Sequence, residues 1–178
     1  MPQDLRRNIE TVAQVLIAIA VLVVGGVVVK RYLFPPPTER ALALEQAQLL
    51  KGTRMIVPNV NWEKNRKSLV FFLRKDCAYC KTAAPFYREL IAEAAKRDVK
   101  CLSILPDSLE EGKKYVQSLD LPIEDVQMGS LSSYKIPATP SVLFVDHQGM
   151  IRSIWVGANP ARENEMRNEL MRLFDARE

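Results

Sequence analysis

The sequence predicts an α/β domain, a mixed sheet flanked by helices, preceded by one N-terminal transmembrane helix. Three observations carry this. An uncharged apolar run fills residues 12–29. From residue 52 onward, short apolar runs of strand length alternate with helical stretches. Near the C-terminus, two apolar runs flank a turn sequence, as in a hairpin.

The run at 12–29 reads VAQVLIAIAVLVVGGVVV, and its one strongly polar residue is Gln14. As a helix it spans about 27 Å, close to the hydrocarbon thickness of a bilayer. Only a helix satisfies its own backbone there. Tyr32 and Phe34 follow at headgroup level. A cleaved signal would need a small-x-small site after the run, and Ala18-Ile19-Ala20 lies inside it. A buried core helix would show a polar stripe, and this segment is apolar all round. Arg6 and Arg7 before it nearly balance Lys30 and Arg31 after it, so charge alone does not orient it. Three prolines at 35–37 form a stiff spacer. Residues 38–51, rich in Ala, Leu, Glu and Gln, read as a helix ending at Gly52, either a stalk or the first packed helix of the domain. The organisation is therefore a tail at 1–11, an anchor at 12–29, a linker and stalk helix at 30–51, and the domain at 52–178.

Within the domain, residues 54–57 suggest a short strand, and 68–73 (SLVFFL) a strand buried on both faces. A helix follows to about residue 97. Residues 99–105 (VKCLSIL) form the next strand, broken by Pro106 and Asp107. Residues 108–119 read as a helix with Glu110 and Glu111 in its first turn, where the helix dipole favours acids. Residues 141–145 and 150–156 are the hairpin strands around the turn at 146–149. A closing helix at 161–174 places Met166, Leu170, Met171 and Phe174 on one stripe. Strands separated by helices imply parallel pairing, and the hairpin adds an antiparallel edge, for four or five strands in all.

Hydrophobic residues make up 48% of the chain, enough for a real core, and the formal net charge is only +4. That balance is no electrostatic footprint for nucleic acid. Three cysteines are too few for a disulfide framework. Cys77 and Cys80 form a Cys-x-x-Cys pair, the spacing of a redox dithiol or of half a zinc site. No second pair exists, and the single histidine, His147, falls in a distant turn, so no metal site is expected. Cys101, in a buried strand, reads as a small core residue.

The segment Phe71-Phe72-Leu73-Arg74-Lys75-Asp76-Cys77-Ala78-Tyr79-Cys80-Lys81 ends a strand and opens a helix at or just after Cys77. Unpaired N–H groups and the dipole at a helix N-terminus favour a thiolate, the attacking species in disulfide exchange. Arg74, Lys75 and Lys81 act in the same direction and Asp76 against them. Cys80 lies one turn on, deeper in the helix, where its thiol faces that of Cys77. In the mechanism this implies, Cys77 attacks, a mixed disulfide forms, and Cys80 resolves it. Tyr79, between the two, is either a substrate contact or a surface aromatic.

These residues resemble the thioredoxin superfamily, in particular its membrane-tethered TlpA-like branch. Pro85, five residues after Cys80, matches the family's helix-kinking proline, and Ile136-Pro137-Ala138-Thr139-Pro140-Ser141 resembles the loop that carries its cis-proline, Pro140 here. The resemblance covers about residues 52–175. It implies a thioredoxin-like fold, and it implies that the Thr139 backbone lies beside the cysteines and pairs with an extended substrate segment. Phe71 stands where thioredoxin carries a buried acid, and Asp76 replaces its tryptophan. Ala78-Tyr79 is neither Gly-Pro nor Pro-His.

The expected activity is thiol-disulfide exchange with extracytoplasmic proteins through Cys77 and Cys80, as a reductant by analogy with TlpA-like proteins. Tyr79, Thr139 and Pro140 are the expected substrate contacts. An oxidant or isomerase is the alternative direction, and a non-enzymatic thioredoxin-like scaffold the alternative class. A peroxidase on this fold needs a Thr three residues before its reactive cysteine, where this chain has Arg74. No cofactor is expected beyond the redox-active disulfide. A membrane electron donor and a monomeric chain complete the expectation, with the domain facing the periplasm or cell exterior from the bacterial inner membrane.

Overall fold

The residues SLVFF form strand β1, Ser68–Phe72, and every one of them is buried. Their side chains divide by parity, as a pleated strand requires. Leu69, Phe71 and the following Leu73 enter one apolar cluster, and Val70 and Phe72 enter the other. A strand buried on both faces needs a layer on each side.

The computed structural model describes residues 39–176. In chain order the helices are α1 (Glu39–Gln48), α2 (Trp62–Asn65), α3 (Ala78–Ala95), α4 (Leu109–Ser118) and α5 (Glu163–Asp175). The other strands are β2 (Lys100–Leu105), β3 (Asp125–Met128), β4 (Ser141–Val145) and β5 (Ile151–Val156). They form one five-stranded sheet of order β3-β2-β1-β4-β5. One face packs on α3, α4 and α5 through residues such as Leu90, Val116 and Leu170. The other packs on Ala47 of α1, Leu50, Met55 and Trp62. The helix ahead of residue 52 thus contributes directly to the core.

β1 and β2 pair in parallel, as do β2 and β3. β4 runs antiparallel to β1, and β5 antiparallel to β4. The expectation of parallel pairing for every helix-separated strand therefore fails at β4. It is reached from β3 through an irregular stretch with a 3-10 turn at Ser132–Tyr134, with no helix of crossover length to return the chain in the same sense. β3 was not read from the sequence because DVQM is a half-exposed edge strand with one buried residue. The strand expected at 54–57 is only a single antiparallel bridge, Arg54 to Met150. Asn59, at φ 62°, turns the chain away soon after. The helix expected from residue 161 begins as a 3-10 turn, Pro160–Arg162, before α5.

The anchor expected at 12–29 lies outside the described residues. Among the described residues no helix is long and apolar enough to cross a membrane.

The hairpin turn is tied to the opposite layer. The Trp62 indole N–H donates to the Met55 carbonyl at 2.9 Å, and the Met55 N–H donates to Gly149 O at 2.7 Å. Gly149 adopts φ +78°, and a Cβ there would sit 2.7 Å from Trp62 Cδ1. Gly52 has φ +82° with open space around it. Both glycines serve the left-handed region, and only Gly149 also serves a close approach. Gly149→Ala is expected to destabilise the domain by about 2–4 kcal/mol. Gly52→Ala should cost only about 1 kcal/mol. Urea midpoints of the two variants, compared with the parent, measure the difference.

Candidate functional site

β1 delivers the chain to the edge of the sheet, where Leu73 N–H donates to Ile104 O at 3.1 Å. The residues from Arg74 on then turn into α3, and Cys77 N–H closes the turn onto Arg74 O at 3.1 Å. Cys77 is the N-cap of α3, with extended backbone angles. Its Sγ accepts the Cys80 N–H at 3.2 Å, so the sulfur takes the capping place that a Ser or Asp oxygen commonly fills. Its thiol also points at the Thr139 carbonyl, 3.5 Å away. The Thr139–Pro140 peptide is cis.

The two cysteines differ in environment. Cys77 keeps 7% of its surface exposed and Cys80 none. Burial pushes the Cys80 thiol up to about 12, and the adjacent Cys77 thiol adds to the shift. Cys101 pairs in register with Leu69, at the far end of β1 from the loop to Cys77. Burial pushes its thiol up to about 12 as well.

The charges around the pair are largely engaged with one another. Arg74 pairs with Asp76, and Lys75 with Glu111 at 2.9 Å and Asp107 at 3.3 Å. These contacts are mostly exposed and weak. The cations expected to act on Cys77 are thus offset by local carboxylates, and Lys81 is exposed. Phe71, at the position of a buried acid in the resemblance, packs on Tyr87 with ring centroids 5.3 Å apart.

Of the residues singled out from the sequence, Cys77, Cys80 and Thr139 come together. Tyr79 is 67% exposed beside them, and Pro140 adjoins Thr139. His147 lies in the turn between β4 and β5. Among the described residues no group of three or more His, Cys, Asp or Glu side chains is placed to hold a metal ion. Sequence reasoning did not single out Tyr115, which joins the apolar cluster containing both cysteines, or Asp107, whose Oδ2 is fully buried. Their spacing from the cysteine pair carries no signal, because β2 and α4 bring them there only through the fold.

The thiolate is the reactive form, so burial and a raised pKa protect Cys80 and Cys101 below about pH 12. Iodoacetamide at neutral pH is therefore expected to modify the reduced chain at one position, and Cys77→Ser to abolish that modification. Labelling of Cys80 and Cys101 should grow only as the pH climbs towards about 12. Peptide mass analysis reads the site directly.

Comparison with known proteins follows the same geometry. The thioredoxin domain of a thiol-disulfide oxidoreductase from Bacteroides vulgatus superposes with a TM-score of 0.54 at 20% identity, covering 65% of this chain and 84% of that one. A thiol:disulfide interchange protein from Bacteroides sp. superposes with a TM-score of 0.53 at 20% identity, covering 71% and 86%. A search of curated proteins finds no match. The fold is thioredoxin-like, a mixed sheet flanked by helices. Residues 45–154, which include the cysteine pair and the Thr139–Pro140 peptide, match the AhpC/TSA family. The chain belongs to the AhpC/TSA family.

Proposed function

We propose that this chain is a thiol-disulfide oxidoreductase in which Cys77 attacks and Cys80 resolves, reducing disulfides of proteins outside the cytoplasm. The observation that carries the reading is the placement of Cys77 Sγ at the head of α3, held by the Cys80 N–H at 3.2 Å and facing the Thr139 carbonyl at 3.5 Å. The two structural neighbours described as a thiol-disulfide oxidoreductase and a thiol:disulfide interchange protein support it.

In this reading the Cys77 thiolate attacks one sulfur of the substrate disulfide. The substrate S–S bond breaks and a mixed disulfide forms. Cys80 then attacks Cys77 Sγ, the Cys77–Cys80 bond closes, and the second substrate thiol leaves. Two electrons pass from the dithiol to the substrate. Tyr79, exposed at the rim, and the Thr139 and Pro140 backbone beside the sulfur receive the substrate segment. Arg74 stands three residues before Cys77 and is paired to Asp76, so the Thr of a peroxidase site is lacking.

The reducing direction rests on the resemblance to TlpA-like membrane-tethered proteins, and an oxidant or isomerase using the same pair is the alternative. The apolar run at 12–29 anchors the domain to the inner membrane of a bacterium, facing the periplasm or exterior, and a membrane donor re-reduces the pair.

The test is the reduction potential of the full chain in detergent, equilibrated with dithiothreitol and glutathione buffers. A value near about −270 mV is expected, and one near about −120 mV would reverse the direction. Cys77→Ser should abolish turnover, and Cys80→Ser should accumulate a mixed disulfide. Absence of a reversible Cys77–Cys80 disulfide removes the enzyme reading and leaves a scaffold. For the anchor, carbonate washing should leave the full chain with membranes, while a chain lacking residues 1–37 should be released.

A further inference from the structure

Three successive carbonyls lead into β4, and each has a different partner. Ala138 O accepts the Ser141 hydroxyl at 2.7 Å. Pro140 O accepts the Gly157 N–H at 2.7 Å. Thr139 O, between them, faces Cys77 Sγ at 3.5 Å. The two outer carbonyls are held within the domain, and the middle one is presented to the thiol.

Ser141 is fully buried. Its hydroxyl has a partner, whereas the buried Ser68 and Ser103 leave their Oγ atoms without one among the described residues. A satisfied buried hydroxyl fixes the geometry of the group it bonds, because releasing that bond leaves two buried polar atoms unpaired. Ser141 opens β4, in register with Phe72 of β1 and Val156 of β5. Phe72 ends β1, five residues before Cys77. One strand pair therefore delivers both sides of the contact, β1 the thiol and β4 the carbonyl. Strand register does not set the rotation of the peptide planes ahead of β4, and there the Ser141 hydroxyl and the Gly157 N–H act. No side chain from Ile136 to Ser141 is ionisable, so this loop acts on Cys77 through the orientation of a carbonyl rather than through charge.

We propose that Ser141 is a positioning residue of the exchange site: by holding the Ala138 carbonyl, its hydroxyl turns the Thr139 carbonyl onto Cys77 and sets the Thr139 backbone to receive the substrate segment. This rests on the exchange reaction proposed above. Two effects follow from the one bond. In the reduced chain Thr139 O accepts from the Cys77 S–H, and a hydrogen bond made by the neutral thiol opposes its ionisation. When substrate arrives, the same backbone pairs with the extended segment. Loss of the hydroxyl thus releases the thiol and loosens the edge on which the substrate lies, so the two properties move in opposite directions.

The experiment uses the full chain in detergent, reduced, as the parent and as Ser141→Ala, Ser141→Val and Ser141→Thr. Thr keeps the hydroxyl, and Val has the shape of Thr without it. Single-turnover reduction is followed with a disulfide-bonded peptide that has extended flanks and with a small aromatic disulfide that has no main chain to pair. In Ser141→Ala and Ser141→Val the half-saturating peptide concentration is expected to rise by about fivefold or more, with the limiting rate within about twofold of the parent, as for one lost hydrogen bond. Alkylation of Cys77 by iodoacetamide at neutral pH and reduction of the aromatic disulfide should both become faster, and Ser141→Thr should keep the parent values. A half-saturating peptide concentration unchanged in Ser141→Ala and Ser141→Val overturns the proposal. So does a fall of every rate in Ser141→Thr as in Ser141→Val, which marks packing rather than the hydroxyl. A parent chain that reduces neither disulfide overturns the exchange reading, and the role of Ser141 with it, an outcome read in the parent alone and so distinct from the other two.

Discussion

β1 lies at the centre of the five strands, and the position of Cys77 follows from it. Buried on both faces and paired on both edges, the strand has no freedom of register, because a one-residue slip would exchange its two apolar faces. The chain therefore leaves the sheet at Phe72 in a fixed direction, and the residues that follow make a short turn into α3. A Cys at the N-cap then sits where the first N–H groups of the helix are unpaired. The Cys80 N–H donates to its sulfur for the same reason that it would donate to a serine oxygen.

Burial separates the two thiols more than charge does. The side chains of Arg74, Lys75 and Asp76 surround the motif, yet each is paired and largely exposed, where water screens it. Cys80 lies one turn into α3, on the face that packs against β1, so the helix itself removes it from water. One cysteine keeps a little exposed surface at the rim while the other is enclosed in the core. The same burial opposes loss of the Cys80 proton.

The second layer of the domain has a different task. α1, Trp62 and the segment around Met55 cover the face of the sheet away from the cysteines. The indole of Trp62 bonds to Met55 O and rests against Gly149, which ties this layer to the β4–β5 turn. β4 in turn runs beside β1 and begins right after Pro140, so the packing of this remote layer helps set where the Thr139 carbonyl lies.

Local pattern determined much of this protein. The alternating faces of residues 68–73, the strands at 99–105 and 141–145, the helix after Cys77 and the turn at 146–149 were all legible, because burial on both faces and helical periodicity are written in adjacent residues. So was the association of Cys77, Cys80 and the Thr139–Pro140 loop, through its resemblance to a known family. Tertiary structure alone decided the antiparallel placement of β4 against β1, the existence of the weakly apolar edge strand β3, and the reduction of 54–57 to a single bridge. It also decided that Tyr115 joins the apolar cluster that holds the cysteine pair. The physical reason is common to all four. Strand order, edge pairing and the neighbours of a buried group depend on contacts between residues far apart in the chain, and a local pattern of apolar and polar residues holds no record of them.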